Sequence, residues 1–230
     1  MKKIGLQVMV ATMLLIVSTA TAQERKETYK VTDFTKVYSN VPLRMYVEQG
    51  DKEALDIEAD QDLLDELDVY VENEVLFIVS TRNKYIRDEK LTIDLMVRDL
   101  SHIEIVGGAK IKFRTALKTD EFRLDISGAA DIDMELDCNK FMADLSGAAN
   151  MHIWGKTKYA AWDISGASNI DAVGFITEAT YLDFSGAGKA EVYAAKILKA
   201  EISGIGLVEY DGNPTQITKN VSGLGRIKKY

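Results

Sequence analysis

The segment Leu124-Asp-Ile-Ser-Gly-Ala-Ala-Asp-Ile132 decides the fold, because close relatives of it recur along the chain. It returns as Ala143-Asp-Leu-Ser-Gly-Ala-Ala-Asn-Met151 and as Trp162-Asp-Ile-Ser-Gly-Ala-Ser-Asn-Ile170. Seven copies centre on Gly107, Gly128, Gly147, Gly166, Gly186, Gly204 and Gly223. A repeat near 19 residues is typical of architectures built from stacked, similar units.

The seven copies can be compared column by column. The position two before the glycine is always apolar: Ile105, Ile126, Leu145, Ile164, Phe184, Ile202 and Val221. The positions four and six after it are apolar too, with Lys229 as the exception, and the position between them is always polar. A period of two indicates strands with one buried face. The glycine and its small neighbours predict a tight corner between two short strands.

Such a unit cannot bury its apolar face alone, so successive units must stack. A coil of about 19 residues fits one turn of a parallel β-helix, with neighbouring strands about 4.8 Å apart. The leucine-rich repeat pattern is absent, and the period of two excludes helical repeats. The sequence therefore predicts an all-β parallel β-helix (β-solenoid), with seven regular repeats over residues 101–230.

Residues 23–100 are rich in predicted strands but less regular. Alternating apolar positions mark strands near 43–47, 55–59 and 91–97, and residues 60–67 suggest one or two helical turns. The charged residues 83–89 suggest a surface loop. No linker separates this half from the repeats, so a single domain is expected over residues 23–230, with irregular strands at 23–100 that continue or cap the solenoid.

Residues 1–22 have the pattern of a secretory signal peptide. Lys2 and Lys3 precede an apolar run, and Ala20-Thr-Ala22 offers a cleavage site. The apolar run is short for a membrane span of roughly 20 residues. Cleavage would leave Gln23 first and a net charge of 26 − 36 = −10. We therefore expect an exported chain without a transmembrane segment in its mature form, located in the periplasm or on the outer cell surface, with no preference for nucleic acid.

These features together resemble the head GIN domain family of putative auto-transporter adhesins. The N-terminal part of the resemblance rests on Phe34-Thr-Lys-Val37, on residues 43–50, and on Leu63-Leu64 followed by residues 69–78. The C-terminal part rests on the Asp-Ile-Ser-Gly-Ala repeats. The resemblance implies an exported, right-handed β-helix.

The position three before each glycine forms an acidic column. Its central members are Asp125, Asp144, Asp163, Asp183 and Glu201, with Glu104 before them and Asn220 after them. In a parallel stack these carboxylates would lie roughly 5 Å apart and repel one another. A row of bound cations such as Ca²⁺ could offset this repulsion. Hydrogen bonds from backbone N–H groups or serine hydroxyls at the corner, or a solvated acidic face, are alternatives.

Other reactive residue types give weaker signals. The serine directly before each glycine recurs six times, which favours a hydrogen-bonded ladder over a single nucleophile. His102, His152 and the single Cys138 share no metal-ligand spacing. Trp162 stands in a mainly aliphatic column and should pack inward, whereas Trp154 is the candidate for stacking on a sugar. No catalytic, cofactor or metal residue is predicted.

The sequence therefore favours an exported, non-enzymatic binding or adhesion module of the bacterial cell envelope. Its partner would be a cell-surface glycan or protein, and its oligomeric state is open. A polysaccharide-acting β-helix enzyme and a periplasmic structural protein are the alternatives. Such enzymes need unlike acid and base groups converging in a cleft, whereas the polar residues here repeat monotonously.

Overall fold

The computed structural model describes residues 24–80 and 91–230. The predicted signal peptide (residues 1–22) and the predicted charged loop (residues 83–89) both lie outside these ranges. The fold is nearly all β, with 77% strand and 2% helix. No helix within the described ranges has the length and apolar character needed to cross a membrane.

In the N-terminal half, the described residues form seven strands and one short helix. They are β1 (Glu24–Tyr29), β2 (Lys36–Ser39), β3 (Leu43–Gln49), β4 (Ala54–Asp60), α1 (Gln61–Leu64), β5 (Leu67–Glu72), β6 (Val75–Ser80) and β7 (Thr92–Val97). The repeats form β8 (His102–Phe113), β9 (Leu117–Lys118), β10 (Glu121–Asp137), β11 (Lys140–Ala172), β12 (Phe175–Tyr193), β13 (Ile197–Asp211), β14 (Gln216–Gly223) and β15 (Arg226–Lys229).

The repeats stack in parallel and in register, which confirms the predicted β-solenoid. Gly128 pairs with Gly107 on one side and with Gly147 on the other, and the same alignment continues from Gly166 to Gly223. Strand β11 is 33 residues long because it continues through two of the glycine corners, at Gly147 and Gly166. This one element therefore contributes to more than one coil of the stack. The seven repeats form about six turns.

The alternating apolar columns fill the interior. Phe122, Phe141, Phe175 and Phe184 are fully buried, and Trp162 is 3% exposed. The Phe141 ring lies 4.9 Å from the Trp162 ring and 5.5 Å from the Phe175 ring, between centroids. These large side chains from neighbouring coils therefore form a continuous aromatic core along the solenoid axis.

The N-terminal strands extend the stack and then close it. Strands β2 and β3 pair in parallel with the two halves of β8, and β6 and β7 pair in turn with β2 and β3. Beyond them β5 adds antiparallel to β6, β4 adds antiparallel to β7, and β1 adds antiparallel to β4. Helix α1 connects β4 to β5 and buries Leu63 and Leu64. This end of the core is thus covered.

Candidate functional site

The acidic column lies on the outer surface of the strands that lead into the glycine corner. The register places Asp125 beside Asp144, Asp163 beside Asp183, and Asp183 beside Glu201. Each residue lies between two buried apolar neighbours, and Asp144, Asp163 and Asp183 are exposed. The predicted row of carboxylates is therefore brought together on one face.

Basic residues neutralise both ends of this row. The Asp125 carboxylate accepts hydrogen bonds from Arg123 Nε at 2.7 Å and lies 2.9 Å from His102 Nε2. At the other end, Lys199 Nζ lies 2.9 Å from Glu201 Oε1 and lowers the pKa of that carboxyl. All three basic side chains come from the column two positions before the acidic one.

The middle of the row has no such partners. There the neighbouring column contains Met142, Ala161 and Tyr181 instead of basic residues. No described residue forms an ion pair or hydrogen bond with the side chains of Asp144, Asp163 or Asp183. Arg123 attracts Asp144, and Lys199 attracts Asp183, only at longer range. The acidic column alone does not predict this difference between the ends and the middle, because the difference lies in the neighbouring column.

A cavity of about 400 Å³ lies over the unpaired carboxylates. We call it the acidic groove, defined by Asp144, Asp163 and Asp183 together with Met142, Ala161 and Tyr181. Arg123 lies at one end of the groove, and Lys199 and Glu201 lie at the other. The small Ala161 leaves space between its larger neighbours. The Tyr181 ring also packs against the Tyr159 ring, with 4.9 Å between centroids.

Asp163 is the electrostatic centre of the groove. Its pKa is raised above the usual aspartate value, first because the side chain is partly removed from water and then because Asp144 and Asp183 repel its charge. A cation placed between these carboxylates would relieve that repulsion. Tyr181 adds an aromatic surface beside them, and ring faces attract cations. The groove is thus suited to a positively charged group with an apolar stem.

A metal ion is a poorer match to the described residues. Among them, no three His, Cys, Asp or Glu side chains come together as metal ligands. The column supplies one carboxylate per coil along a line, whereas Ca²⁺ takes six to eight oxygen ligands around itself.

The serine column differs from the prediction. Ser127, Ser146, Ser165 and Ser185 are exposed, and no hydrogen bond joins one described hydroxyl of this column to the next. In-register parallel strands place equivalent side chains about 4.8 Å apart, which exceeds the usual O–H···O distance of about 2.8 Å. The predicted hydrogen-bonded ladder is therefore wrong.

The remaining candidates lie away from the groove. His152 lies 3.4 Å from Asp133 Oδ2 through its Nδ1, and its ring stacks near Trp154 at 4.8 Å between centroids. Trp154 is half-buried against that histidine. Cys138 is buried, and its pKa is raised mainly by that burial. Trp162 packs inward, and its indole N–H has no acceptor among the described residues.

Fold and surface define a parallel β-solenoid with a groove on one outer face. Residues 33–214 match the family described as "Putative auto-transporter adhesin, head GIN domain". The chain belongs to this family. No functionally curated protein matches the sequence.

Solved structures share the fold at low sequence identity. A putative adhesin from Bacteroides fragilis superimposes with a TM-score of 0.76 at 23% identity, covering 91% of this chain and 98% of its own. A putative lipid binding protein from Parabacteroides distasonis gives 0.69 at 20%, covering 90% and 96%. A putative adhesin from the same organism gives 0.68 at 20%, covering 91% and 98%. At these identities the likeness establishes the fold alone.

Proposed function

We propose that this chain is an exported, non-enzymatic binding module of the cell envelope, and that the acidic groove is its contact site. The observation that carries the proposal is the run of three carboxylates without basic partners, set beside Tyr181 in a cavity. The family name and the similarly folded adhesins support a binding role. The signal-peptide pattern at residues 1–22 supports export.

The ligand that best fits the groove is a protein or peptide segment carrying lysine or arginine side chains. Their alkyl stems can lie along Met142 and Ala161, while the charged head reaches Asp163. Most neutral glycans would leave the three carboxylates unpaired. The overall charge of −8 also favours the approach of a basic partner.

The binding test replaces the three groove carboxylates together (Asp144→Asn, Asp163→Asn, Asp183→Asn). We expect the dissociation constant for a fluorescent lysine-rich peptide to rise at least about tenfold, because several exposed ion pairs of about 0.2–1 kcal/mol each are lost. The affinity is measured by fluorescence anisotropy.

The matched control removes the same charge from the other side of the corner (Asp131→Asn, Asp133→Asn, Asp137→Asn). These three carboxylates each lie near a basic residue. The control should bind the peptide within about twofold of the wild type. Equal losses in both triple variants would mean that the peptide responds only to net charge. If both variants instead bound neutral glycans, a glycan would replace the basic peptide as the proposed ligand.

Location is tested on intact cells by adding protease and blotting for the chain. A surface adhesin is cut while an internal control protein survives. Protection until the envelope is opened would remove the adhesion role and favour a periplasmic binding role.

A further inference from the structure

The two ends of the solenoid differ in how they are finished. At the N-terminal end, the outermost strands are the antiparallel β5 and β1, with α1 between β4 and β5. At the C-terminal end, the outermost strands are β14 and β15, which pair with β13 through one edge only. Within residues 24–80 and 91–230, no strand pairs with their other edge.

The C-terminal end exposes residues that belong to core columns. Ile217 and Val221 are 47% and 46% exposed, whereas their counterparts one coil earlier, Leu198 and Ile202, are buried. Leu224 nearby is 83% exposed. A further layer of strands on this end would cover the apolar surface and satisfy the free backbone edge.

The charges of the two ends are opposite. Residues 60–74, from the end of β4 through α1 and β5, contain seven acidic residues and no lysine or arginine: Asp60, Asp62, Asp65, Glu66, Asp68, Glu72 and Glu74. Residues 212–230 contain four basic residues and no acidic one: Lys219, Arg226, Lys228 and Lys229. Two C-terminal ends would therefore repel each other, whereas a C-terminal end and an N-terminal end attract.

The strand edges match as well as the charges. One continuous series of paired strands runs along the solenoid from β5 to β14, and a second series runs from β1 to β15. A second copy stacked along the axis would bring β5 to β14 and β1 to β15. Leu67, Val69 and Val71 of β5, which are only half-buried, would then meet the exposed Ile217 and Val221.

Lys219 makes the match selective. It occupies an inward column of the last coil, and its Nζ reaches the Tyr210 hydroxyl at 3.2 Å. A lysine in such a position opposes pairing with an arbitrary apolar edge. Its charge adds to that of Arg226, Lys228 and Lys229, and residues 60–74 of an approaching N-terminal end have the opposite charge.

We propose that a second copy of this chain docks its N-terminal end on the C-terminal end of the first, so that solenoids stack head to tail. The contact is heterologous and leaves a free end on each side, so assembly continues beyond a dimer as concentration rises.

The test uses two charge-reversal variants of the whole chain in sedimentation velocity. One carries Asp68→Lys and Glu72→Lys, and the other carries Lys219→Glu and Arg226→Glu. The wild type should form species larger than a dimer that dissociate at high salt, and each variant alone should associate at least about tenfold more weakly. Mixed in equal amounts, the two variants should assemble again, because the lysines introduced on β5 then face the glutamates introduced on the last coil, and the alternate contacts keep their native charges.

A further variant tests the apolar part of the contact. Leu224→Asp changes an exposed side chain, so it should fold normally by circular dichroism and still block assembly. A wild type that stays monomeric at all concentrations, an assembly that stops at a dimer, or a mixture of the reversal variants that fails to associate would overturn the proposal.

Discussion

At Gly166 the backbone has a φ of +123°, and a Cβ at this position would lie 2.1 Å from the carbonyl oxygen of Gly147 in the preceding coil. Residues other than glycine rarely adopt this φ, and Cβ atoms in proteins do not approach a carbonyl oxygen so closely. The glycine column thus has two causes, the conformation of the corner and the direct contact between corners. The sequence predicted the first, but the second became visible only in the stack.

Replacing Gly166 by alanine should therefore destabilise the protein by more than about 2 kcal/mol. The measurement is thermal unfolding followed by circular dichroism. Gly108→Ala is the control, because a Cβ there meets only Pro42 Cβ at 3.7 Å and the other repeats already have alanine or another residue after the corner glycine. Equal melting temperatures for the two variants would contradict this account of the corner.

Across the strands, the acidic column shows how neighbouring elements give identical residues different environments. Asp125 lies between Arg123 and His102, whereas Asp163 lies between two further carboxylates. The fold places both aspartates at the same point of the repeat. Their difference comes from the column beside them, whose residues change from basic to apolar and back along the solenoid.

Asp163→Asn should consequently stabilise the protein near pH 7 by about 0.2–1 kcal/mol, because it removes like-charge repulsion between neighbouring strands. The raised pKa means that the folded state holds the proton of Asp163 more tightly than the unfolded state does. Wild-type stability from this group therefore falls as pH rises through that pKa, and the advantage of the variant should shrink as pH is lowered towards 4.

Asp125→Asn provides the opposite case in the same column. It loses the ion pair with Arg123 and changes the contact with His102, so it should destabilise the protein near pH 7. Urea unfolding of both variants at pH 7 and pH 4 measures the comparison. If Asp163→Asn proved destabilising at pH 7, the repulsion inferred at the centre of the column would be absent.

The repeat explains which elements the sequence could predict. Seven copies expose the alternation, and alternation fixes the buried face of each strand, so Ile126, Ile164 and their equivalents were correctly placed inside. The strands before residue 100 occur once each, so no comparison of columns reveals that β4 and β5 turn antiparallel. The groove could be predicted only from the column two positions before the acidic one. That column changes from the basic Arg123 to Met142 and back to the basic Lys199.

At the scale of the whole molecule, charge is distributed along the axis as well as across the surface. One end is acidic, the other is basic, and the unpaired carboxylates lie midway on one face. The stacking proposed above would repeat that groove at regular intervals along an assembly. A weak single site would then bind a basic partner that carries several charged segments more tightly, through multivalency.

Whether a basic peptide occupies the acidic groove can be measured directly with a reporter placed in the groove itself. In Ala161→Cys the new thiol lies beside Asp163, whereas native Cys138 is buried with a raised pKa and should react slowly. Ala167→Cys, exposed on the same coil but outside the groove, is the control. A lysine-rich peptide should slow maleimide labelling of Ala161→Cys and leave that of Ala167→Cys unchanged. Equal labelling rates with and without the peptide at Ala161→Cys, under conditions where the peptide binds, would contradict binding in the groove.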